Sequence, residues 1–377
     1  MNLVRTNAPL SIASDVRIFN DGARKFDALF EDIRQAKDHI HLQYYILTND
    51  DLGKRLMELL TAKAKQGVKV RFLYDDLGSR SLPKSFFHEF GASGGQTAAF
   101  LPGVLSNINL RLNHRNHRKL VVVDGSIGYI GGFNVGDEYV GKKSEFGYWR
   151  DTHLRVEGPI VHSLQNRFFI DWNQAAKKHP MKFAENYFPE LDNKTGIAMQ
   201  IVASGPLETR EDIKNGYLKM IHHARDSIYL QTPYFIPDSS IIDALRTAAL
   251  GGVDVQIMIP DKADHIFVHS ATLSFVRELL QDGVKLYNYE NGFLHAKALI
   301  IDEKAYAVGS ANMDIRSFSL NFELNAIVYD AASAKEMADI FFRDKKLSAE
   351  LTEETFKDQS WKKKVRQNIA KLVSPIL

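Results

Sequence analysis

The sequence predicts an α/β protein made of two similar halves. Each half is a mixed β-sheet flanked by helices, and a pseudo-twofold places the active site between them. Three observations lead there. Helical and strand periodicities alternate through the first quarter of the chain, as they do in a largely parallel or mixed sheet covered on both faces. Landmarks of the first half then return in order. His39-Ile40-His41-Leu42-Gln43 is echoed by Ser227-Ile228-Tyr229-Leu230-Gln231, and Gly67-Val68-Lys69-Val70 by Gly252-Val253-Asp254-Val255, at lags of 188 and 185 residues. Finally, one polar motif occurs twice, 178 residues apart, with identical internal spacing.

A chain of 377 residues exceeds one ordinary core, so two domains are expected. They divide at 1–195 and 196–377, with a linker between Lys177 and Gly196 where Pro180, Pro189, Asn193 and Lys194 interrupt the periodicity. Hydrophobic and charged fractions of 45% and 25% are those of a globular protein. A formal charge of +2 makes no case for nucleic acid as a partner. The absence of cysteine excludes disulfides, thiolate metal sites and cysteine nucleophiles, and fits a reducing compartment. No apolar run reaches the roughly 18 residues of a membrane span. Met1 to Ser14 lacks the basic start and apolar stretch of a signal peptide.

Taken in order, Phe26, Leu29, Phe30 and Ile33 recur at helical spacing, which predicts a helix over 22–36. A strand over 40–47 follows, then a helix marked by Leu52, Leu56, Leu59 and Leu60, and a strand over 68–74. The Gly-, Ser- and Asn-rich stretch 78–116 holds a short helix, a strand at 98–101 and a long loop into the first polar motif. Leu120 to Val123 is apolar and β-branched, a buried strand. Asp124-Gly125 signals a hairpin turn, with the return strand over 126–130. In the second half, 298–301 and 324–329 read as strands, as does 152–156 after the first motif. At the end, Trp361, Val365, Ile369, Leu372 and Ile376 form an apolar stripe among Lys362, Lys363, Lys364, Arg366 and Lys371. Such a basic amphipathic helix either lies on an anionic bilayer or packs on its own domain with a solvated basic face.

The duplicated motif carries the chemistry. In each copy Lys follows His by two positions, Asp follows Lys by five, and Asn follows Asp by ten: His117, Lys119, Asp124, Asn134, then His295, Lys297, Asp302, Asn312. Residues two apart on a strand share a face, so an imidazole and an ammonium stand side by side, which makes a site for an anion. One His-x-Lys means little; two with the same spacing do not arise from ordinary surface composition.

Written His-x-Lys-x4-Asp-x6-Gly-(Gly/Ser)-x-Asn, the pair resembles the phospholipase D superfamily. Flanking segments narrow the resemblance to bacterial cardiolipin synthases: Asn113 to Lys119, Gly131 to Tyr139, Trp149-Arg150-Asp151, Gln231 to Pro237, and Ala311 to Phe318. It runs from about Asp15 to the C-terminus. Such proteins usually carry two N-terminal membrane helices ahead of the catalytic region, and this chain departs from that pattern, as a natural short form or a trimmed one.

Displacement at a phosphodiester needs one group to attack phosphorus and another to protonate the departing oxygen. Two histidines can divide these roles. Lys119 and Lys297 offset the transition-state charge, and Asn134, Asn312 and Ser310 are assigned to bind the substrate phosphate. Fixed ammonium groups do what a divalent cation does elsewhere, so no metal and no cofactor are expected. Asp124 and Asp302 belong to the motif's catalytic set, although each ends its strand and reads as a turn residue rather than a direct participant. Resemblance implies Asp151 and Glu323 as the acids that orient the histidines, and it favours His117 as nucleophile with His295 as general acid. His114 and His153 are local polar residues.

The resemblance implies a phosphatidyltransferase joining two phosphatidylglycerols into cardiolipin and glycerol through a phosphohistidine. Its partners would be phospholipid and an anionic membrane surface. It would sit at the cell membrane, possible on its cytoplasmic side, as a peripheral protein or through an N-terminal anchor absent from this chain. The alternatives are a phospholipase D-type hydrolase, a nuclease, which the modest charge disfavours, and a silent membrane-binding scaffold, which the intact motifs argue against. Oligomeric state is not encoded in one sequence. The apolar loop 100–111 is a further expected membrane contact.

Overall fold

The computed structural model describes residues 8–101, 114–143, 147–192, 195–208, 210–262, 265–357 and 359–373. Most of the loop 100–111 lies outside these residues. Two mixed sheets form the framework. The first runs in the order Asp15–Phe19, His153–Glu157, Ile127–Gly131, Leu120–Val123, His39–Tyr44, Lys69–Asp75, Gln96–Phe100. The second contains the same order: Ile197–Ser204, Asn321–Tyr329, Ala305–Gly309, Ala298–Ile301, Ser227–Gln231, Asp254–Pro260, Lys285–Tyr289. Pairing senses match as well. The first five strands of each series pair antiparallel and the last two join in parallel. The repeat in the sequence is therefore a repeat of topology.

Strand alternation explains the layers. Leu120 and Val122 join a central core shared with Ala298 and Ile300 of the other sheet, whereas Val121 and Val123 face an outer core. That outer core includes Phe26, Leu29, Leu56 and Leu60 from the helices Gly22–Gln35 and Asp51–Lys65. Helices Val161–Ala175 and Ala331–Lys345 contribute Phe168, Trp172, Met337 and Phe341 to the central layer. The segment expected as a linker is not a free tether. Met181 and Tyr187 are buried in the central core, and Tyr187 packs edge-on against His39 and His41.

We propose the division at 195/196 as the boundary of the repeat, with short exchanges across it. Ser11–Ala13 pairs with Ile197–Ser204 at the edge of the second sheet. Arg115–Asn116 runs parallel to Asn321–Phe322, and Phe293–Leu294 runs parallel to Trp149–Arg150. These two short ladders fix the site. Each leads into one motif histidine and, on the opposite half, into one acid.

Candidate active site

Each motif histidine is held by the other half of the molecule. The His117 N–H donates to Phe322 O at 2.9 Å, and the His295 N–H donates to Arg150 O at 2.7 Å. The next residues along the chain are Glu323 and Asp151. His117 Nδ1 stands 3.0 Å from Glu323 Oε1, and His295 Nδ1 stands 2.6 Å from Asp151 Oδ2. The acid that follows the second motif therefore orients the first histidine, and the acid that follows the first motif orients the second. A carboxylate accepts only, so each pair fixes the proton on Nδ1 and leaves Nε2 as the reactive nitrogen. The imidazoles are nearly closed off, with side chains 12% and 11% exposed.

The lysines stand within the same enclosure. Lys119 Nζ donates to His117 O at 2.7 Å, and Lys297 Nζ donates to His295 O at 2.5 Å, 2.8 Å from the imidazole Nδ1. Burial lowers Lys119 to about 7; Glu323 opposes this and the Lys297 charge adds to it. Burial also lowers His117 against the pull of Glu323, and burial together with Lys297 brings His295 down to about 4. For the two acids burial acts upward. It is outweighed at Asp151 by Lys297 and His295, and at Glu323 by His117 and Lys119, so both stay below the ordinary carboxylate range. Two cationic side chains and two neutral imidazoles face a space suited to an anion.

A pH effect follows from Lys119. It is charged below about pH 7 and loses its proton above it. Affinity for an unreactive phosphodiester analogue is expected to fall more steeply above that pH than below it, with loss of the Lys119 proton adding up to about tenfold per pH unit. Titration calorimetry across pH 5.5–9 measures this, and a flat profile would remove Lys119 as the anion's partner.

Several expected site residues have other tasks. Asp124 accepts from the backbone N–H groups of Lys37, Asp38 and His39 at 2.8–2.9 Å. Asp302 does the same for Arg225, Asp226 and Ser227 at 2.8–3.1 Å. Five residues beyond its lysine along a strand, each lies roughly 16 Å from the chemistry. They clamp the start of a neighbouring strand, and their place in the catalytic set is corrected accordingly. Ser310, assigned to substrate, donates to Glu323 and accepts from the Leu324 N–H at 2.9 Å, so it supports the orienting acid. The first motif has Gly132 at this position because a Cβ there would lie 2.0 Å from Asp151 Oδ1.

Asn134 is engaged within the fold, accepting from Ile46 N–H at 3.1 Å and donating to Tyr139 at 3.3 Å. Asn312 donates to Asp314 at 3.2 Å. The Asn134 oxygen is taken up by the fold, and its NH2 group, with two N–H donors, gives one to Tyr139. His153 is buried between Tyr129 and Phe133, as a local residue. Sequence reasoning gave no role to Tyr45 or Trp149. Tyr45 stands edge-on to His117 at 4.9 Å, and Trp149 lies 5.1 Å from the His295 ring. The signal was there for Tyr45, which lies two residues beyond the repeated Leu-Gln.

Comparison with known proteins identifies the family and the fold. Residues 29–172 and 217–345 match the family model described as cardiolipin synthase, PLD-like domain. Over all 377 residues the chain is 51% identical to the major cardiolipin synthase ClsA of Bacillus subtilis, covering 78% of that protein. It is 52% identical to a cardiolipin synthase of Staphylococcus aureus, covering 76% of it. Among solved structures, phosphatidylserine synthase of Haemophilus influenzae superposes with a TM-score of 0.74 at 15% identity, over 99% of this chain and 98% of that one. Polyphosphate kinase of Porphyromonas gingivalis gives 0.59 at 14% identity, over 96% of this chain and 53% of that one. Both share the fold.

Proposed function

The chain belongs to the cardiolipin synthases built from phospholipase D-like domains, and from that premise we propose how its paired site transfers a phosphatidyl group. The protein is a cardiolipin synthase, a phosphatidyltransferase. The substrates are two molecules of phosphatidylglycerol. His117 Nε2 attacks phosphorus of the first, the bond to the headgroup glycerol oxygen breaks, and His295 supplies that oxygen with a proton. A headgroup hydroxyl of the second lipid then gives its proton to His295 and attacks the same phosphorus. The P–N bond breaks, releasing cardiolipin and restoring His117. Phosphodiester free energy is retained in the adduct, so no nucleotide is consumed.

The observation that carries this reading is the crossed pairing of His117 with Glu323 and His295 with Asp151, each beside its own lysine. A neutral His117 is what a nucleophile requires. His295 gains its proton once a phosphodiester anion lies between Lys119 and Lys297 and offsets their charge. Near-complete burial of both imidazoles favours an alcohol delivered by lipid over bulk water. The test is product analysis on phosphatidylglycerol vesicles by mass spectrometry. Cardiolipin and glycerol in equal amounts are expected; phosphatidic acid as the main product would make the protein a hydrolase.

Because the lysines supply the positive charge, turnover is expected to persist in EDTA at its untreated rate within about twofold. Loss with chelator that one particular cation restores would overturn the metal-free reading.

We also propose that the enzyme works at the anionic surface of the cell membrane, with its terminal helix as one contact. No helix among the described residues is long and apolar enough to cross a membrane. The terminal helix Trp361–Val373 packs on Ile266–Leu280 through Ala370, with Gln367 also buried, while Trp361, Val365 and Ile369 are 70%, 45% and 50% exposed. Trp361, Val365 and Ile369 thus face outward in a segment, 359–373, without a single acidic residue, while Ile376 of the stripe lies outside the described residues. Replacing Trp361, Val365 and Ile369 together with Ser is expected to weaken partitioning into phosphatidylglycerol vesicles at least about tenfold. Unchanged sedimentation with vesicles would leave this helix a structural cap only.

A further inference from the structure

The repeated glutamines that mark the internal repeat, Gln43 and Gln231, have no part in the mechanism above, yet both are 1% exposed. Each stands at or next to the end of its strand, opposite the residue that follows a motif lysine: Gln43, last but one in His39–Tyr44, pairs with Leu120, and Gln231, last in Ser227–Gln231, with Ala298. Each donates to a buried aspartate on a central-layer helix, Gln43 to Asp171 at 2.9 Å and Gln231 to Asp344 at 2.8 Å. Each aspartate in turn holds a buried arginine. Arg118 Nη1 lies 2.8 Å from Asp171, and Arg150 Nε lies 2.9 Å from Asp344.

The far side of each guanidinium meets the machinery. Arg118 Nε donates to the backbone carbonyl of Glu323 at 3.0 Å and Nη2 to Ser204 O at 2.9 Å. Arg150 Nη1 donates to the backbone carbonyl of Asp151 and, at 3.1 Å, to Thr152 Oγ1. Each arginine therefore grips the main chain of the acid that orients one histidine. Gln43 adds a second link, donating at 2.9 Å to Asn116, the residue before His117. A buried ion pair contributes little net stability when compared with apolar packing. Two such clusters, built at equivalent places on separate helices and both ending on an orienting acid, call for more than packing.

We propose that Arg118–Asp171–Gln43 and Arg150–Asp344–Gln231 are two sets of positioning residues, one for each histidine–acid pair, fixing the backbone from which Glu323 and Asp151 project. The proposal rests on the division of roles between His117 and His295 given above only for which cluster serves which step. The first cluster serves attack on phosphorus, and the second serves protonation of the leaving oxygen.

The experiment uses Gln43→Met and Gln231→Met in the full chain, each checked by circular dichroism and thermal midpoint. Gln43→Asn and Gln231→Asn, whose amides fall short of the aspartates, replace any variant that does not fold. Headgroup release is followed in a single turnover with phosphatidylglycerol and with a 4-nitrophenyl phosphodiester, whose leaving group needs no proton. The Gln231 variant is expected to lose about tenfold with the lipid and less than twofold with the nitrophenyl ester. The Gln43 variant is expected to lose about tenfold with both. The mirror image of this pattern would uphold the clusters and reverse the roles of the histidines. Any other pattern, including equal loss by both variants regardless of leaving group, overturns the proposal, because general loosening of the fold cannot distinguish leaving groups.

Discussion

Replacing His117 with Asn is expected to abolish the covalent adduct whatever the leaving group, with turnover reduced on the order of 10⁴-fold or more. His117→Asn keeps a polar side chain in the cavity while removing the nitrogen that bonds to phosphorus. Replacing His295 with Asn makes a different demand. Turnover of phosphatidylglycerol collapses by a similar factor, because glycerol then leaves as an unprotonated alkoxide. An activated phosphodiester needs no such proton, so His295→Asn still forms the adduct from it at a rate near that of the parent. Intact-protein mass after mixing measures both outcomes. A phosphoryl adduct on the His117 variant, mapped to His295, would reverse the assignment and leave the two-histidine mechanism standing. Adducts on neither variant and none on the parent would remove the covalent route.

The crossed acids give the second large effect. Glu323→Gln and Asp151→Asn keep size and lose the charge that fixes the Nδ1 proton, and each is expected to lower turnover by about 10²–10⁴-fold. Crossing predicts which histidine each acid couples to. Asp151→Asn combined with His295→Asn should cost little beyond the single His295 change, because the acid acts only through that imidazole. Glu323→Gln should couple in the same way to His117→Asn. A double-mutant cycle pairing Asp151 with His117 serves as the control and should be nearly additive. If instead Asp151 coupled to His117 and Glu323 to His295, the orientation of each imidazole from the opposite half would be wrong. The leaving-group test extends this, since Asp151→Asn, unlike Glu323→Gln, should be rescued by the activated ester.

Much of the site was legible because it is written in local spacing. The spacing of His-x-Lys marked the site, although His117 to Lys119 and His295 to Lys297 lie just ahead of the strands Leu120–Val123 and Ala298–Ile301 rather than on them, and Leu120 to Val123 is buried as its composition required. The turn at Asp124-Gly125 was readable for the same reason, with φ of 50° and 65° at those two residues. The equivalent turn carries Glu303 at φ 51°, with no glycine to announce it. The motif aspartates share the motif's spacing, yet the end of the strand already marked each as a turn residue rather than a participant. A strand carries its two ends far apart, and Asp124 and Asp302 tie down neighbouring strands at the distant end.

The sequence by itself determined the family, the repeat and the two motifs, since each depends on residue identity at fixed local intervals. Only the tertiary structure decided which acid serves which histidine, that Ser310 supports Glu323 while Gly132 makes room for Asp151, and that Arg118 and Arg150 tie helices to the main chain of those acids. It also decided that Trp361, Val365 and Ile369 face outward while Ala370 packs inward. For the acids the physical reason is separation along the chain. Glu323 lies 206 residues from His117 and Asp151 lies 144 from His295, so no periodicity links them. Their meeting is set by how two sheets dock, through the packing of the central core and the two parallel ladders that cross between the halves.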